Sequence, residues 1–435
     1  MMYREISKLV LYGDQKEDSI LIKLANIFRD YDLGNTSKEN LIQRIYLQVK
    51  RVLDISTMYG FDYNLWHNYL TFLLITDENS FSLTCEKVGA SEGSVNHFAE
   101  NDFRMIKQLF NFDFSSIEVG LGIDCFRTIS HYQAIEKKEK LYNKNVSERV
   151  QKLSKEIEKA KNEKEIFEKV TAFYKKHGVG MLGLNKAFRV HRSKDQELEL
   201  VPINNTERIL LSDLIGYTSQ KRILVENTEA FLKGKPANNV LLYGDSGTGK
   251  SASIKAIING YYDQGLRMIE LYKHQFQDIP DVISKIKNRN YYFILFLDDL
   301  SFEEFEIEYK YLKALIEGGL ETKPDNVLIY ATSNRRHLVK ELWNDRADMN
   351  EYEVRRSDTL QEKISLADRF GICINYSKPN QEEYFNIVLY LADKYGIQMP
   401  KEELLEQAHQ WELAHGGFSG RTAQQFINHM MGKME

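Results

Sequence analysis

The stretch that decides the fold of this chain is the run Gly244-Asp245-Ser246-Gly247-Thr248-Gly249-Lys250-Ser251. It has the form Gly-x-x-x-x-Gly-Lys-Ser/Thr, the pattern of loops that wrap nucleotide phosphates. The glycines let backbone N–H groups converge on phosphate oxygens, because no Cβ stands in the way. Lys250 adds a full positive charge, and the hydroxyl of Ser251 is a candidate ligand for Mg²⁺. The run therefore predicts a phosphate-binding loop.

The residues on either side of this loop fit the strand and the helix that such a loop joins. Val240-Leu241-Leu242-Tyr243 is a short apolar run typical of a buried strand, and Ala252 to Ile258 continue as a helix. A helix that begins at the loop presents the positive end of its dipole to the phosphates. The structural alternative is a glycine turn with a coincidental lysine, and the full pattern in this context makes it far less favoured.

Composition and charge indicate an ordinary globular protein of two or three domains. The chain has 435 residues, a net charge of −5 and a pI near 6.1. That balance excludes a bulk attraction to nucleic acid or anionic membranes and leaves only a local basic patch as an alternative. Cys85, Cys125 and Cys373 lack metal-ligand spacing, so we expect three buried thiols in a reducing compartment.

The start of the chain and its most apolar stretch argue against a membrane location. The first residues lack the apolar core of a signal peptide, and Tyr291 to Leu297 is too short to span a bilayer. We therefore expect a cytoplasmic protein with no membrane partner.

The distribution of prolines divides the chain into a helical part and a mixed part. All six prolines lie at or after Pro202, which predicts a helical N-terminal domain joined to an α/β domain. Within the helical part, Thr36-Ser37-Lys38-Glu39 has the capping-box pattern that opens a helix. The apolar face predicted for that helix consists of Ile42, Ile45, Val49, Val52 and Leu53.

Residues 82–110 have two interpretations. Leu83 to Val88 and Ser94 to Phe110 are predicted helices on either side of a glycine-containing turn. One interpretation is a DNA-binding helix-turn-helix whose second helix offers Asn96, His97, Asn101, Arg104 and Lys107 to DNA. The other is an ordinary helical hairpin. We favour the hairpin because Glu100 and Asp102 on the same helix would repel phosphates.

Two later segments have motif-like patterns that we interpret structurally. Residues 146–176 are strongly charged, with Val150, Leu153, Ile157 and Ala160 at heptad-like spacing. This covers too few heptads for a coiled coil, so we expect an amphipathic helix that packs on its own domain or links two domains. Residues 178–183 spell Gly-x-Gly-x-x-Gly but follow a helix, which indicates a helix stop and flexible joint, or a hinge, rather than a dinucleotide fingerprint. Residues 197–203 are predicted to form a short strand that ends the linker.

A second cluster of polar residues follows predicted strands. Tyr291 to Leu297 suits a parallel strand buried on both faces, and Asp298 and Asp299 come directly after it. Because open α/β sheets bind ligands at the carboxyl ends of their strands, Asp298 fits a ligand of Mg²⁺. Asp299 fits a group that orients or deprotonates the attacking water, and Asn334, after another predicted strand, could reach the γ-phosphate or that water. The structural alternative is a polar strand end that caps the next helix.

From about Ser212 to the C-terminus the chain resembles an AAA+ ATPase module. The matching motifs are Gly244–Ser251 for Walker A, Phe293–Asp299 for Walker B, Asn334 for sensor 1, Arg369 for the arginine finger, Arg421 for the sensor-2 arginine and Leu214–Tyr217 for the border of the adenine pocket. Within that class the chain most resembles a bacterial family catalogued only as a domain of unknown function. The shared strings are Phe231–Gly234, Asp298–Phe302, Ser333–Leu338 and Ser365–Gly371.

This resemblance implies an α/β fold, an αβα sandwich with a five-stranded parallel sheet in the order 5-1-4-3-2. An all-α N-terminal domain would precede it and a small helical lid would follow. The expected domains are residues 1–145 (helical), 146–205 (charged helix and linker), 206–377 (nucleotide-binding) and 378–435 (lid). The implied site residues are Ile215, Gly216 and Tyr217 at the adenine, Gly244 to Ser251 and Arg421 on ATP, Ser251 and Asp298 on Mg²⁺, and Lys250, Asp299, Asn334 and Arg369 in hydrolysis.

The resemblance also implies homo-oligomers in which Arg369 of one subunit meets ATP bound by its neighbour. Four other arginines compete for that role, namely Arg335, Arg336, Arg355 and Arg356. Asp299 stands where most AAA+ ATPases carry glutamate, and an aspartate reaches less far. Because the aspartate is shorter, both hydrolysis at an ordinary rate and slow hydrolysis are compatible with the sequence.

Three functions stay in competition at this point. The first is Mg²⁺-dependent ATP hydrolysis coupled to remodelling of a protein partner bound through the N-terminal domain. The second is a nucleotide-dependent switch or scaffold with little turnover. The third is a DNA-associated loader or initiator, supported only by residues 82–110 and least favoured because the overall charge is balanced.

Overall fold

The chain forms two compact units, Met1–Asn185 and Lys186–Glu435. The computed structural model describes residues 2–13, 18–135, 144–193, 195–204, 206–302, 308–317, 324–334, 367 and 369–433. The segment 146–205, expected as a charged helix and linker, divides between the two units. Its helical part belongs to the first unit, and its residues from Lys186 onward belong to the second.

The described part of the first unit is helical and packs around one apolar core. Its helices are α1 Met2–Ile6, α2 Ile20–Leu33, α3 Lys38–Tyr59, α4 Leu65–Thr76, α5 Ser80–Val88, α6 Val95–Phe110, α7 Ser115–Leu121, α8 Cys125–Ser130, α9 Lys144–Lys159, α10 Glu163–His177 and α11 Gly180–Leu184. Large aromatic side chains fill the centre, among them Phe28, Trp66 and Phe103. The helical N-terminal region predicted from the absence of proline is confirmed.

The start of α3 lies one residue later than the capping-box pattern predicted. The N-cap is Ser37, whose side chain accepts a hydrogen bond from the backbone N of Asn40 at 3.3 Å. The prediction of Thr36 as the N-cap was wrong because Thr36 and Ser37 both carry a hydroxyl that can cap a helix, and the helix begins directly after Ser37. Ile45 and Val49 are buried, as the helical periodicity predicted.

The charged segment after residue 144 forms two amphipathic helices that pack on their own unit. The apolar stripe at Val150, Leu153, Ile157 and Ala160 is buried in the core of the first unit. Helix α10 then ends at His177, with Gly178 as its C-cap at a φ of +79°. The packing of this segment on its own unit and the glycine helix stop are confirmed, but two helices separated at residues 160–162 stand where one helix was predicted.

Helices α5 and α6 form a hairpin, and the polar side chains of α6 are engaged within the first unit. Arg104 pairs with Glu163 at 3.1 Å, and Lys107 donates to the carbonyl oxygen of Glu158 at 2.9 Å. Asp102 is fully buried and accepts hydrogen bonds from backbone N–H groups near the N-terminus of the chain. These contacts favour the helical hairpin over a DNA-reading helix.

The described residues of the second unit form a seven-stranded sheet, around which that unit is organised. Its strands are β1 Ala187–Arg192, β2 Leu198–Pro202, β3 Val240–Gly244, β4 Leu266–Glu270, β5 Tyr292–Leu297, β6 Val327–Ser333 and β7 Ile372–Tyr376, in the spatial order β2-β1-β4-β5-β6-β3-β7. Neighbouring strands are parallel except β1 and β2, which pair antiparallel. Numbered from β3, the parallel strands β3 to β7 follow the predicted order 5-1-4-3-2.

The prediction of five strands is wrong in number because a β1–β2 hairpin extends the sheet beyond β4. Only its second arm was predicted, as a strand that ends a linker. In β1, buried Phe188 and Val190 alternate with exposed residues, as expected for a strand with one face toward solvent. Arg189 pairs with Glu270 of β4 at 2.7 Å, so an ion pair reinforces the ladder.

Helices cover the sheet, and the last three form a separate apolar core. The helices are α12 Thr218–Leu232, α13 Lys250–Tyr261, α14 Ile279–Ile286, α15 Glu308–Glu317, α16 Gln381–Lys394, α17 Lys401–Ala414 and α18 Gly420–Met431, with 3-10 segments at Leu211–Asp213, Tyr262–Gln264 and Lys273–Asp278. Tyr384, Ala408 and Phe426 bring α16, α17 and α18 together around this core, and these three helices, which fall in the segment predicted as a lid, are called the lid below. Among the described helices, none combines the length and apolar character that a membrane crossing requires.

The three cysteines differ in burial. Cys85 is buried, and this burial raises the pKa of its thiol to about 11. Cys125 is half-buried, whereas Cys373 is exposed. The expectation of three buried thiols is therefore wrong for Cys373, because β7 turns that side chain away from the sheet core.

Candidate functional site

The predicted phosphate loop joins β3 to α13 at the carboxyl edge of the sheet. Its first residue, Gly244, has a φ of +129°, and a Cβ there would overlap with the carbonyl oxygen of Tyr376 on β7. Glycine is required at this point because the loop runs so close to the neighbouring strand. The backbone N of Asp245 also donates to that carbonyl oxygen at 3.0 Å. The start of the loop is thus fixed on β7.

Lys250 reaches back into the loop and is almost completely buried, with 6% of the residue exposed. Its Nζ donates to the carbonyl oxygens of Gly244 and Asp245 at 2.9 and 2.6 Å and to Oδ1 of Asn334 at 3.1 Å. Burial lowers the pKa of this ammonium group, and the carboxylates of Asp245 and Asp299 offset part of that effect. The ammonium group is therefore a cation whose three acceptors are all neutral oxygens. An anionic oxygen would accept a stronger, charge-assisted hydrogen bond from it than these groups do.

Ser251, Asp298 and Thr332 meet at a single carboxylate oxygen. The Oγ of Ser251 donates to Oδ1 of Asp298 at 2.5 Å, and the Oγ1 of Thr332 donates to the same atom at 2.6 Å. The hydroxyl of Ser251 and the carboxylate of Asp298 are hard oxygen donors of the kind that Mg²⁺ prefers. The described residues contain no group of three or more His, Cys, Asp or Glu suited to a metal. Mg²⁺ in nucleotide sites is typically held by one or two protein oxygens plus water and phosphate, so the pair fits that ion.

Asp299 is held in an unusual backbone conformation beside this cluster. Its φ is +52°, a value that non-glycine residues adopt at a cost on the order of 1–3 kcal/mol. Its backbone N donates to Oγ1 of Thr332 at 2.9 Å, and its Oδ1 accepts from Nδ2 of Asn334 at 2.7 Å. Asn334 therefore bridges Asp299 and Lys250. The strain and the two hydrogen bonds aim an exposed carboxylate at the space above the loop.

The lid reaches the phosphate loop through the start of α18. The backbone N of Arg421 donates to the carbonyl oxygen of Gly247 at 3.2 Å, and its Nη1 lies 3.4 Å from Oγ of Ser246. A Cβ on Gly247 would stand 3.0 Å from Oγ of Ser419, so the loop and the lid are in close contact there. Arg421 therefore contacts the phosphate loop from the lid.

These residues surround one cavity of about 520 Å³ within the second unit, a size typical of small-molecule sites. One side is polar and consists of Ser246 to Ser251, Asp298, Asp299, Thr332, Asn334 and Arg421. The lining also contains the charged residues Glu207, Asp213 and Lys255 and an apolar set, Leu214, Ile215, Tyr217, Ile387 and Leu391. The cavity therefore combines a polar set of side chains suited to phosphates, called its polar or phosphate end below, with an apolar set suited to an aromatic base, called its apolar end.

Of the residues predicted at the adenine, Ile215 and Tyr217 line the cavity. Gly216 stands between them at a φ of +79° and is not among the described lining residues. Tyr217 stacks on Tyr376 with ring centroids 4.9 Å apart, and its hydroxyl donates to the carbonyl oxygen of Ser377 at 2.8 Å. Stacking and hydrogen bonding thus fix this wall against β7.

Arg369 is half-buried near the start of β7 and is absent from the described lining of the cavity. Gly244 and Asp245 are also absent from the described lining. They contribute to the site indirectly, because their carbonyl oxygens accept hydrogen bonds from Lys250. The four competing arginines, Arg335, Arg336, Arg355 and Arg356, lie outside the described residues.

Among the residues at or next to the site, Thr332, Asp213 and Lys394 were not predicted from the sequence. Thr332 lies on β6, two positions before Asn334, which directly follows the strand. Because residues at that spacing share a face of a strand, this pattern could have found it. Asp213 lines the cavity, and Lys394 binds Asp213. The sequence carries no signal for that pair, because the two residues are far apart along the chain.

Comparison with known protein families places the second unit in a family. A family model described as "Protein of unknown function (DUF815)" matches residues 184–434. The chain belongs to this family. The matched region contains the whole seven-stranded sheet, the cavity and the lid, so the β1–β2 hairpin lies within it.

Comparisons with curated proteins and with solved structures add little to this family assignment. A search among curated proteins found no match. The RuvB Holliday junction branch migration motor of Thermotoga maritima is 14% identical and has a TM-score of 0.32, over 52% of this chain and 71% of that chain. A mutant of the same protein is 16% identical with a TM-score of 0.35, over 51% and 64%. Because these scores are low, the fold is assigned from this chain's own strand order and loop geometry.

Proposed function

We propose that this chain is an AAA+ ATPase that binds ATP with Mg²⁺ and hydrolyses it. The observation that carries the proposal is the convergence on one cavity of three features: buried Lys250, the Ser251–Asp298 pair and the Asn334–Asp299 pair. The order of the five strands β3 to β7 supports the same conclusion, since it is the order implied by the AAA+ motifs.

Binding of the triphosphate would use the loop and the lid together. Lys250 would exchange its carbonyl partners for β- and γ-phosphate oxygens, and the loop N–H groups at the start of α13 would complete the cradle. Arg421 would add a second positive charge from the lid. The base would lie against the apolar side at Ile215 and Tyr217.

The metal would be held by Ser251 and Asp298. Mg²⁺ bound there supplies positive charge next to the phosphate oxygens on which negative charge develops. Thr332 would keep the Asp298 carboxylate in position through its hydrogen bond to Oδ1.

Hydrolysis would use Asp299 as the group that takes a proton from water. The water oxygen forms a bond to the γ-phosphorus while the bond from that phosphorus to the bridging oxygen breaks, and ADP leaves. The proton moves from the water to the carboxylate of Asp299. Asn334 would hold that carboxylate through its 2.7 Å hydrogen bond and donate the second hydrogen of the same amide nitrogen to the γ-phosphate or its water.

An arginine from a neighbouring subunit would complete the site. The arginine proposed for this role is Arg369, and because it does not line the described cavity of its own chain, it would have to act at a neighbour's site in a homo-oligomer. An arginine finger contributes on the order of 10³–10⁵ in rate, so isolated subunits should be nearly inactive.

Steady-state phosphate release at several protein concentrations tests this proposal. We expect specific activity to rise with protein concentration, and Arg369→Ala to abolish the rise while ATP binding persists. Lys250→Ala serves as the inactive control. Activity that is independent of concentration and unchanged in Arg369→Ala would refute the finger in trans, and no activity above the Lys250→Ala level would refute hydrolysis.

A second candidate function is a nucleotide-dependent switch with little turnover. The observation that favours it is the short Asp299 side chain, whose Oδ1 already accepts a hydrogen bond from Asn334. Asp299→Glu separates the two functions, because a longer carboxylate should accelerate phosphate release if reach limits the rate. A switch would bind ATP, change its assembly state and show no turnover in either form.

The partner on which ATP turnover acts is proposed to be a protein that binds the first unit. The engaged side chains of α6 leave less support for DNA as that partner. The Asp299→Ala protein, incubated with cell extract and ATP, should retain the partner. A protein that is released when ATP is removed would be identified as that partner. An Asp299→Ala protein that retains nucleic acid, sensitive to nuclease and to salt, would instead favour the loader function.

A further inference from the structure

The apolar end of the cavity is built from two separate elements. Leu214 and Ile215 come from the segment that precedes α12, whereas Ile387 and Leu391 come from α16 of the lid. Ile215 also packs against the apolar core of the lid. The width of this end therefore depends on how the two elements are held relative to each other.

An ion pair joins the same two elements. The Nζ of Lys394 donates to Oδ1 of Asp213 at 2.6 Å. Asp213 also accepts from the hydroxyl of Tyr390 at 3.3 Å and from the backbone N of Leu210 at 2.8 Å. The Asp213 side chain is 19% exposed and the Lys394 side chain 39%, so solvent screens the pair in part, and the two further hydrogen bonds fix the carboxylate that Lys394 contacts.

The spacing of the residues places this ion pair beside the apolar wall. Ile387, Leu391 and Lys394 are separated by four and three positions, so they lie along one face of α16. On the other element, Asp213 directly precedes Leu214. Lys394 is not among the described residues that line the cavity, whereas Asp213 is. Lys394 can therefore act on a bound base only through Asp213 or through the position of α16.

The segment that carries Asp213 is already fixed on its other side. The Nζ of Lys221 donates to the carbonyl oxygen of Leu214 at 2.7 Å, and Tyr217 is fixed against β7. The contact with Lys394 then ties α16 to a segment that α12 and β7 already hold. Because that segment is held, the ion pair sets the position of Ile387 and Leu391 on α16 rather than the position of Leu214.

We propose that Asp213 and Lys394 are positioning residues that set the affinity of the cavity for the base of a nucleotide. The inference rests on the proposed function, since it assumes that the polar end holds the phosphates. Loss of the pair would let α16 move from the base and weaken nucleotide binding. The phosphate end would keep its contacts, because Lys250, Ser251 and Arg421 do not depend on the pair.

Calorimetric titration with two probes tests the inference on the full chain. ATP carries the base, and inorganic tripolyphosphate carries only the phosphates. In the presence of Mg²⁺, Lys394→Met and Asp213→Asn should each weaken ATP binding about tenfold, as expected for a hydrogen bond to a charged group. Binding of tripolyphosphate should stay unchanged. Asparagine at 213 retains an acceptor for the backbone N of Leu210, so this variant should fold.

Lys233→Met is the matched control, because it removes the same charge from an exposed pair with Glu229 on α12. It should leave the affinity for both probes unchanged. The double variant Asp213→Asn/Lys394→Met should bind ATP as each single variant does, since both substitutions break one contact. Lys394→Arg, which retains the charge, should restore most of the ATP affinity.

The other outcomes overturn the inference or its basis. Equal weakening of both probes would indicate a general disturbance of the cavity and would refute a role at the base. Unchanged ATP binding in both single variants would refute the ion pair as a positioning element. If the wild type binds tripolyphosphate but not ATP, the base site is wrong, and if it binds neither, the proposed function itself fails.

Discussion

The geometry of the site predicts that the hydroxyl of Thr332 supports Mg²⁺ binding, because it holds the Asp298 carboxylate and the Asp299 backbone. Thr332 is 2% exposed, and its Oγ1 donates to Oδ1 of Asp298 at 2.6 Å and accepts from the backbone N of Asp299 at 2.9 Å. Thr332→Val retains the shape of the side chain and removes both hydrogen bonds. The carboxylate of Asp298 would keep Ser251 as a donor, and the strained backbone at Asp299 would lose its acceptor.

The expected size of the effect follows from these contacts. A hydrogen bond to a charged group contributes about 1.5–3 kcal/mol. Asp298 is exposed, so water replaces part of the loss, and we expect the lower end of that range. About 1.4 kcal/mol corresponds to a tenfold change, so the apparent affinity for Mg²⁺ should fall about tenfold.

The assay is a Mg²⁺ titration of ATP binding and phosphate release. Thr332→Ser, which retains the hydroxyl, is the control and should stay close to the wild type. Thr332→Val should need more Mg²⁺ for half-maximal binding and should also have a lower kcat, because Asp299 is less well held. If the valine and serine variants show the same Mg²⁺ dependence, Thr332 does not position the metal ligand and the reasoning is refuted.

Three further predictions concern other parts of the chain. Asn334→Ala should reduce kcat by about 10²-fold while ATP affinity changes little, since it removes an oriented donor from the reacting end; an unchanged kcat in phosphate release would argue against that role. Ser37→Ala should lower the free energy of unfolding by about 1 kcal/mol and Thr36→Ala should not, as urea denaturation would show, and the reverse order would contradict the observed N-cap. Lys394 holds the pKa of the Asp213 carboxyl below its ordinary value of 3.8, so this contribution to stability is present above that pH and is lost as the pH falls through the lower folded pKa. Lys394→Met should therefore lose less stability than the wild type when urea denaturation is repeated below about pH 4, and equal losses would count against the pair.

The central strands were predictable because they are buried on both faces. Long apolar runs such as Tyr292–Leu297 have no other simple explanation. The β1–β2 hairpin was only half predicted. Its first arm alternates apolar and polar residues only from Phe188 to His191, and pairing with β4 and β2 makes that short pattern a strand.

The candidate site divides in the same way. Lys250, Ser251, Asp298, Asp299 and Asn334 were predictable because each belongs to a short motif or follows a buried strand. Contacts that link distant parts of the chain leave no local pattern, and the hydrogen bond from Lys394 to Asp213 joins residues 181 positions apart. The N-cap of α3 was missed for a different reason, since two adjacent hydroxyl side chains satisfied the same local rule.

The most direct test of the account is equilibrium titration of the wild type and Lys250→Met with ATP and Mg²⁺. Methionine has a similar length but no charge, and Lys250 is the buried cation at the centre of the loop. The wild type should bind ATP at one site per chain, and Lys250→Met should weaken binding by about 10²-fold or more while the protein stays folded in a thermal melt, as expected when one partner of a buried charge pair is lost. No binding by the wild type, or equal binding by both proteins, would contradict the assignment of this loop as a nucleotide site.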